Sequence, residues 1–108
     1  MFDWSFEDYG QYTGSTYWGI VTGPPDQPGI NGGLLQRPAP TPPAGQGSNA
    51  FVCTIGVSDY DDTERRILNA GGQVAMPKMA LTGMAWQGYY LDPEGNTFGI
   101  HQLDPAAA

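Results

Sequence analysis

The segment FVCTIGVSDYDDTERRILNAGGQVAMPKMALTGMAWQGYYLDPEGNTFGIHQL, residues 51–103, decides the fold class. It opens with residues that alternate between two sides up to Val57, which predicts a strand. Asp59 or Asp61 then suits the first cap of a helix, and Glu64 follows Asp61 at capping-box spacing. Gly71 supplies the left-handed residue that ends a helix. The segment therefore begins as a strand followed by a helix.

Three further strands are predicted after the helix. They lie near 73–76, 84–91 and 97–103, and the turn Asp92-Pro93-Glu94-Gly95-Asn96 joins the last two. The inward stripe of the helix is expected to consist of Tyr60, Thr63, Ile67 and Ala70. The predicted order over this segment is β-α-β-β-β, which places the chain in the α+β class.

The first half of the chain has strand signals only. Phe2, Trp4 and Phe6 alternate with polar residues, and two more strands are predicted over 17–22 and 30–36 with a turn-rich segment between them. The stretch RPAPTPPAGQGSN from Arg37 to Asn49 has no large apolar residue and repeated Pro and Gly, so residues 38–49 are predicted to form a linker.

Two predicted hairpins echo each other. Gly19-Ile20-Val21-Thr22 followed by Gly33-Leu34-Leu35-Gln36 parallels Gly88-Tyr89-Tyr90-Leu91 followed by Gly99-Ile100-His101-Gln102. In this alignment Tyr17 corresponds to Trp86 and Val21 to Tyr90. If Gly88 faces a concave cleft, Trp86 and Tyr90 face it too, and Tyr17 lies opposite them. Such rings would offer a flat wall to a planar or cationic guest. The alternative is that they are ordinary core residues.

Four short motifs at this spacing resemble the vicinal oxygen chelate superfamily. They are Gly71-Gly72, Pro77-Lys78, Gly83-Met84 and above all Asp92-Pro93-Glu94-Gly95-Asn96-Thr97-Phe98-Gly99. Glyoxalase I, bleomycin-resistance proteins and extradiol dioxygenases belong to this superfamily. The resemblance implies two paired β-α-β-β-β modules with a cleft between their concave faces. It divides this chain into an incomplete first module of strands over 1–37, the linker over 38–49, a complete module over 50–103 and a tail over 104–108.

The resemblance also implies positions for metal ligands. They fall at Val52 and Gly99 in the second module and near Gly33 in the first, and the fourth would lie on a strand that is missing. Val and Gly offer no donor to a divalent ion. We therefore expect no metal and no other cofactor.

His101 is the single histidine of the chain and lies two residues after Gly99, on the same side of a strand. It is the one candidate for acid–base catalysis, with a structural or solvated role as the alternative. Cys53 is expected to be buried and inert, and the carboxylates of Asp59, Asp61 and Asp62 to serve the start of the helix rather than a cation. The expected ligand-binding residues are Tyr17, Val52, Thr54, Trp86, Tyr90, Gly99 and His101.

Composition limits the partners. With 4 Lys+Arg against 11 Asp+Glu, the formal charge is −7, so neither nucleic acid nor a membrane surface is expected to bind. One cysteine and no basic leader before an apolar stretch favour the cytoplasm. The missing strand would leave an open edge, which predicts a homodimer in which a second copy covers it; the alternative is a natural product longer than this chain.

These observations predict a protein that binds a small organic molecule, cationic or aromatic, in a cleft without a metal, as bleomycin-resistance proteins do. Whether it is an enzyme stays open, with the balance against catalysis. One alternative is a metal-dependent lyase, isomerase or dioxygenase, or a metal-free enzyme that uses His101. Another is a non-catalytic interaction module or remnant.

Overall fold

The chain folds into two compact units. The computed structural model describes residues 2–41, 43 and 51–108, and the chain divides into an N-terminal unit, Met1–Ala44, and a C-terminal unit, Gly45–Ala108. Most of the predicted linker, residues 42 and 44–49, lies outside the described residues, as does Ala50. No helix within the described ranges is long and apolar enough to cross a membrane.

The N-terminal unit is a three-stranded antiparallel sheet. Its strands are β1 (Ser5–Asp8), β2 (Trp18–Val21) and β3 (Gly32–Leu34), in the order β1-β2-β3. The three strands predicted here are confirmed, although each is shorter than expected. A single helical turn, α1 (Gly10–Thr13), was not predicted; it ends at Gly14, whose φ of 74° suits a residue without a side chain.

The C-terminal unit has the predicted element order. It consists of β4 (Thr54–Gly56), α2 (Tyr60–Asn69), β5 (Gln73–Leu81), β6 (Ala85–Leu91) and β7 (Thr97–Leu103). The sheet order is β4-β7-β6-β5, with β4 parallel to β7 and the other pairs antiparallel. The α+β class is therefore confirmed.

Strand β5 extends further than the sequence suggests. It continues through Pro77 to Leu81, and its pairing with β6 shifts register on both sides of Met76. Proline has no N–H for the ladder, and an irregular register accommodates it. This explains why the apolar pattern beyond Met76 did not indicate a strand.

Helix α2 begins at one of the two predicted caps. The Asp59 carboxylate accepts the backbone N–H of Asp62 at 2.9 Å, which satisfies a free donor of the first turn. Asp61 instead forms an ion pair with Lys78 at 2.9 Å, so the capping box that pairs it with Glu64 is wrong. Gly71, at φ 93°, follows the end of the helix as predicted.

The core of the C-terminal unit lies between α2 and one face of the sheet. Tyr60, Tyr90 and Ile100 are fully buried, and Val57, Ile67, Trp86 and Phe98 pack around them. Of the predicted inward stripe, Tyr60 is buried, Thr63 and Ile67 are half-buried and Ala70 is exposed. A Cβ on Gly88 would overlap the Tyr60 hydroxyl, so glycine at this position allows the helix to approach β6.

The predicted tail folds back on the hairpin that joins β5 and β6. Asp104 donates its backbone N–H to the Met84 carbonyl at 2.9 Å, and Gly83 donates to the Ala107 carbonyl at 2.8 Å. Ala107 is buried by these contacts. The last residues are thus part of the C-terminal unit.

Candidate functional site

The sheet of the C-terminal unit has a second face, which no described helix of that unit covers. Residues directly opposite each other on paired strands share a face. Gln87 pairs with His101, and Tyr89 with Gly99, while Thr54 pairs with Gly99 from the parallel strand β4. We call this surface, defined by Thr54, Gln87, Tyr89, Gly99 and His101, the helix-free face.

The helix-free face has a polar pair at its centre. Gln87 Oε1 lies 2.7 Å from His101 Nδ1. With the amide in this orientation its oxygen accepts, so Nδ1 carries the proton and Nε2 is left with its lone pair. Burial lowers the pKa of His101 below its usual 6.5, and the ring is therefore neutral at pH 7. His101 can accept a hydrogen bond or a proton through Nε2.

Gln87 also has an unused donor. The residue is only 8% exposed, and its Nε2 has no hydrogen-bond partner in the described part of the chain. Buried amide groups are almost always paired, because an unsatisfied donor loses about 1–3 kcal/mol of hydration. An unpaired buried donor is therefore an unusual feature of this face.

Gly99 is closely packed beside this donor. The position that a Cβ would take on Gly99 is 2.9 Å from Thr54 Oγ1, 3.0 Å from Gln87 Nε2 and 3.0 Å from Tyr89 Cε1. Two polar groups and a ring edge therefore converge above the glycine. A Cβ here would be closer to these groups than ordinary van der Waals contact allows, so the packing at this position requires glycine.

Three of the predicted site residues come together on the helix-free face: Thr54, Gly99 and His101. Val52 precedes β4 and is 48% exposed. Tyr17 lies in the N-terminal unit, just before β2, where its hydroxyl occupies the space that a Cβ on Gly33 would need. The predicted role of Tyr17 and Val52 in binding stays a prediction.

The predicted orientation of Trp86 and Tyr90 is wrong. Both lie on the face that packs against α2, and Tyr90 has no exposed surface. The Trp86 indole N–H donates to Asp104 at 3.0 Å. Lys78 Nζ lies 4.5 Å from the centroid of the Trp86 ring, so a cation of the chain itself contacts the ring that was expected to attract a cationic guest.

The error in orientation has its origin in the register of the two hairpins. In the N-terminal unit Gly19 pairs with Gly33, but in the C-terminal unit Gly88 pairs with Ile100 rather than Gly99. A shift of one residue moves a side chain to the opposite face of a sheet. The sequence echo therefore aligns residues whose positions on the two sheets are not equivalent.

Cys53 is exposed, so the expectation that it is buried is wrong. Strand β4 begins only at Thr54, although the Cys53 carbonyl still accepts the backbone N–H of Gly99 at 2.9 Å. Of the acidic cluster, Asp59 caps α2 as expected, whereas Asp61 pairs with Lys78 and Asp62 pairs with Arg65. Over residues 2–41, 43 and 51–108, no group of three or more His, Cys, Asp or Glu side chains is placed to hold a metal ion.

The turn that carries the family resemblance is built by its own side chains. Asp92 accepts the backbone N–H groups of Glu94 and Asn96, each at 2.9 Å, and Gly95 has a φ of 81°. The hydrogen bonds from Asn96 lower the pKa of the Asp92 carboxyl. Asp92, Gly95 and Asn96 thus have a structural role in this turn.

Sequence reasoning missed Gln87 and Tyr89. Gln87 was detectable as the one polar side chain within the strand AWQGYYL of β6. A polar side chain in the middle of a buried strand requires a partner, and this signal points to His101 once β6 and β7 are paired. Tyr89 carries no such signal, because it adjoins another tyrosine on the opposite face.

Comparison with known proteins does not assign the chain to a family. No protein-family model matches the chain, and no curated protein matches it.

Proposed function

We propose that this chain binds a small organic molecule on the helix-free face of its C-terminal unit, without a metal ion. The observation that carries the proposal is the buried Gln87 Nε2, which has no partner in the described chain and lies on the sheet face that no described helix of the unit covers. A bound molecule would supply the missing acceptor and cover the face. Binding would then be sequestration, with no bond made or broken.

The chemistry of the donor set supports binding without a metal. The positions that the family resemblance assigns to ligands hold Val52 and Gly99, which have no donor side chain. Among the residues of the helix-free face, His101 alone is a usual ligand of a transition metal. A single such ligand does not provide the several converging donors that a resident ion needs.

The relationship to the vicinal oxygen chelate superfamily is part of the same proposal. Two features support it: the β-α-β-β-β order of the C-terminal unit, and a sheet with a helix on one face and a second face that no described helix of the unit covers. Under this proposal the N-terminal unit, a sheet of three strands, would correspond to the incomplete first module.

A second function is favoured by one observation on His101. Its ring is neutral and Nδ1 is held by Gln87, which leaves the Nε2 lone pair available as a general base. The corresponding enzyme would remove a proton from a carbon next to a carbonyl group and return it to a different position. Exchange of deuterium from D2O into acetophenone, lost in His101→Asn, would indicate this enzyme; no exchange above the buffer rate would favour binding alone.

Nuclear magnetic resonance with ¹⁵N-labelled protein tests the binding function. We expect small carbonyl-containing or aromatic molecules to shift the backbone signals of Gln87, Gly99 and His101 together, and to leave those of α2 unchanged. Exposed Gln73, at the start of β5, provides a reference signal of the same residue type. Shifts confined to other parts of the chain, or none with any molecule, would contradict the proposal.

A further inference from the structure

We propose that the outer edge of strand β4 binds an extended segment of another protein, which adds to the sheet as an antiparallel strand. The segment has apolar side chains on the side of α2 and a carboxylate for Arg66. The proposal uses backbone groups of the edge rather than the side chains that define the helix-free face, so it does not depend on the proposed function.

Strand β4 has unused backbone groups on its outer side. It is the end strand of its sheet and pairs with β7. The Cys53 carbonyl and the Val57 N–H each form a hydrogen bond of 2.9 Å with β7. Groups that face the same neighbour recur at every second residue, so the N–H and C=O groups of Thr54 and Gly56 point away from β7. Two donors and two acceptors are therefore spaced for a further strand.

The edge of β4 is also open to solvent. All three residues of the strand are exposed, Ile55 by 53%, and Phe51 is 98% exposed. Natural edge strands are often protected against a further strand by a charged side chain or a proline. The segment FVCTIGV, residues 51–57, has neither. An open, unprotected edge of this kind is a template for strand addition.

The side chains next to the edge determine the apolar pattern of the partner. Ile55 pairs with the buried Ile100, so it lies on the side of α2, and Val57 follows it two residues later. Val57 also belongs to a shallow groove along α2. The groove is lined by Val57, Thr63, Arg66, Ile67, Asn69 and Ala70. An added strand would direct every second side chain to this side, where apolar side chains would contact Ile55 and Val57.

Charge complementarity adds a carboxylate to the partner. Arg65 and Lys78 each form an ion pair with an acidic residue, whereas no ion pair of Arg66 is found among the described residues. Arg66 is exposed and lines the groove. A second copy of this chain paired through β4 would bring residues 51–57, which include no carboxylate. A segment of a different protein therefore fits this edge better than a second copy.

The test uses capped heptapeptides and the full chain labelled with ¹⁵N. The parent probe, Val-Thr-Val-Thr-Glu-Thr-Val, has its threonines on one side and its other residues on the opposite side. Directly opposite residues of an antiparallel pair share a face, so the threonine backbone would bond to Thr54 and Gly56. N-methylation of the central threonine should weaken binding by about tenfold or more, because it removes a donor from this pairing. N-methylation of the valine before it changes the outer side and should leave binding unchanged.

Exchange of backbone N–H groups with D2O identifies the edge. Thr54 and Gly56 should exchange about tenfold more slowly when the parent probe occupies nine-tenths of the chains, because their N–H groups are then hydrogen-bonded. The N–H of Ile55 faces β7 and should not change. Slower exchange at alternate residues is expected from an added strand and not from apolar contact alone.

Variants test the donor and the charge separately. Gly56→Pro removes an outward N–H, and a Cβ at this position would meet nothing within 4 Å. It should bind the parent probe about fivefold or more weakly than Gly56→Ala, which keeps the N–H. The parent probe should bind about threefold more tightly than its Glu-to-Lys analogue. Arg66→Gln should abolish this preference, whereas Arg65→Gln should retain it.

Several results would overturn the proposal: equal binding of the two N-methylated probes, binding without slower exchange at Thr54 and Gly56, or no binding of the parent probe. The comparison of N-methylated probes uses the unaltered chain, so it does not depend on any variant being folded. Affinity for the parent probe that falls as the chain concentration rises would identify a second copy as the occupant and would also overturn the proposal.

Discussion

Removal of one hydroxyl group, in Tyr90→Phe, tests how the core of the C-terminal unit is held together. The Tyr90 hydroxyl donates to the Glu64 carboxylate and lies 2.7 Å from the Tyr60 hydroxyl, which donates to it in turn. Burial, and then the hydrogen bond to Glu64, raise the pKa of Tyr90, so the hydroxyl keeps its proton. The substitution breaks both hydrogen bonds and leaves the aromatic ring in place.

The size of the effect follows from the partners that are left behind. A hydrogen bond to a charged group contributes about 1.5–3 kcal/mol and a neutral one about 1 kcal/mol. Tyr60 is 1% exposed, so its hydroxyl would have no water to replace Tyr90. We therefore expect Tyr90→Phe to lower the free energy of unfolding by about 2–4 kcal/mol. Tyr60→Phe should cost about 1 kcal/mol, because Tyr90 keeps its bond to Glu64.

The assay is urea denaturation followed by far-ultraviolet circular dichroism, on the two single variants and the double variant. In the double variant the Tyr60 hydroxyl is gone, so its desolvation no longer adds to the loss of Tyr90. The double variant should be no less stable than Tyr90→Phe. Its loss of stability is then about 1 kcal/mol smaller than the sum of the two single losses, and this difference is the coupling energy. Equal effects of the two single variants, or strict additivity, would refute this hydrogen-bond chain.

The remaining predictions concern packing, pH and assembly. Gly88→Ala should lower the free energy of unfolding by about 1–3 kcal/mol, because its methyl group overlaps the Tyr60 hydroxyl, and Tyr60→Phe in the same chain should restore part of the loss. Burial lowers the pKa of His101, so near pH 6 the unfolded chain binds more protons than the folded chain. Stability to urea should therefore fall as the pH is lowered from 6.5 to about 5. This fall should be absent in His101→Asn. The homodimer stays a prediction, supported by a sheet in the N-terminal unit that leaves Trp18 41% exposed on one face with Phe6 and Leu34. Light scattering at micromolar concentration should give twice the chain mass, and Trp18→Ser should reduce the measured mass. A monomeric mass for the unaltered chain would contradict the prediction.

Local signals predicted much of the secondary structure. The change of period after Val57, the Asp59 cap and Gly71 define the strand and helix at the start of the C-terminal unit. Such signals act between residues a few positions apart, so they do not depend on the tertiary structure. The extension of β5 past Pro77 was not predicted, because its irregular pairing depends on the neighbouring strand.

The candidate site could be predicted only in part. Thr54, Gly99 and His101 share a face because residues two apart on one strand, or opposite on neighbouring strands, point the same way. Gln87 was missed, although it supplies the buried donor that the proposed function depends on. Its importance arises from its pairing with His101, which lies fourteen residues away along the chain.

By itself, the sequence determined the order of strands and helix in the C-terminal unit, and it placed His101 on the same side of its strand as Gly99. Tertiary structure decided which face of the sheet the helix covers. Strand β6 has large side chains on both of its faces, and its alternation is compatible with either orientation. The contact between Tyr60 and Gly88, with the one-residue difference in hairpin register, turns Trp86 and Tyr90 toward the helix and leaves Gln87 with its unpaired donor on the helix-free face.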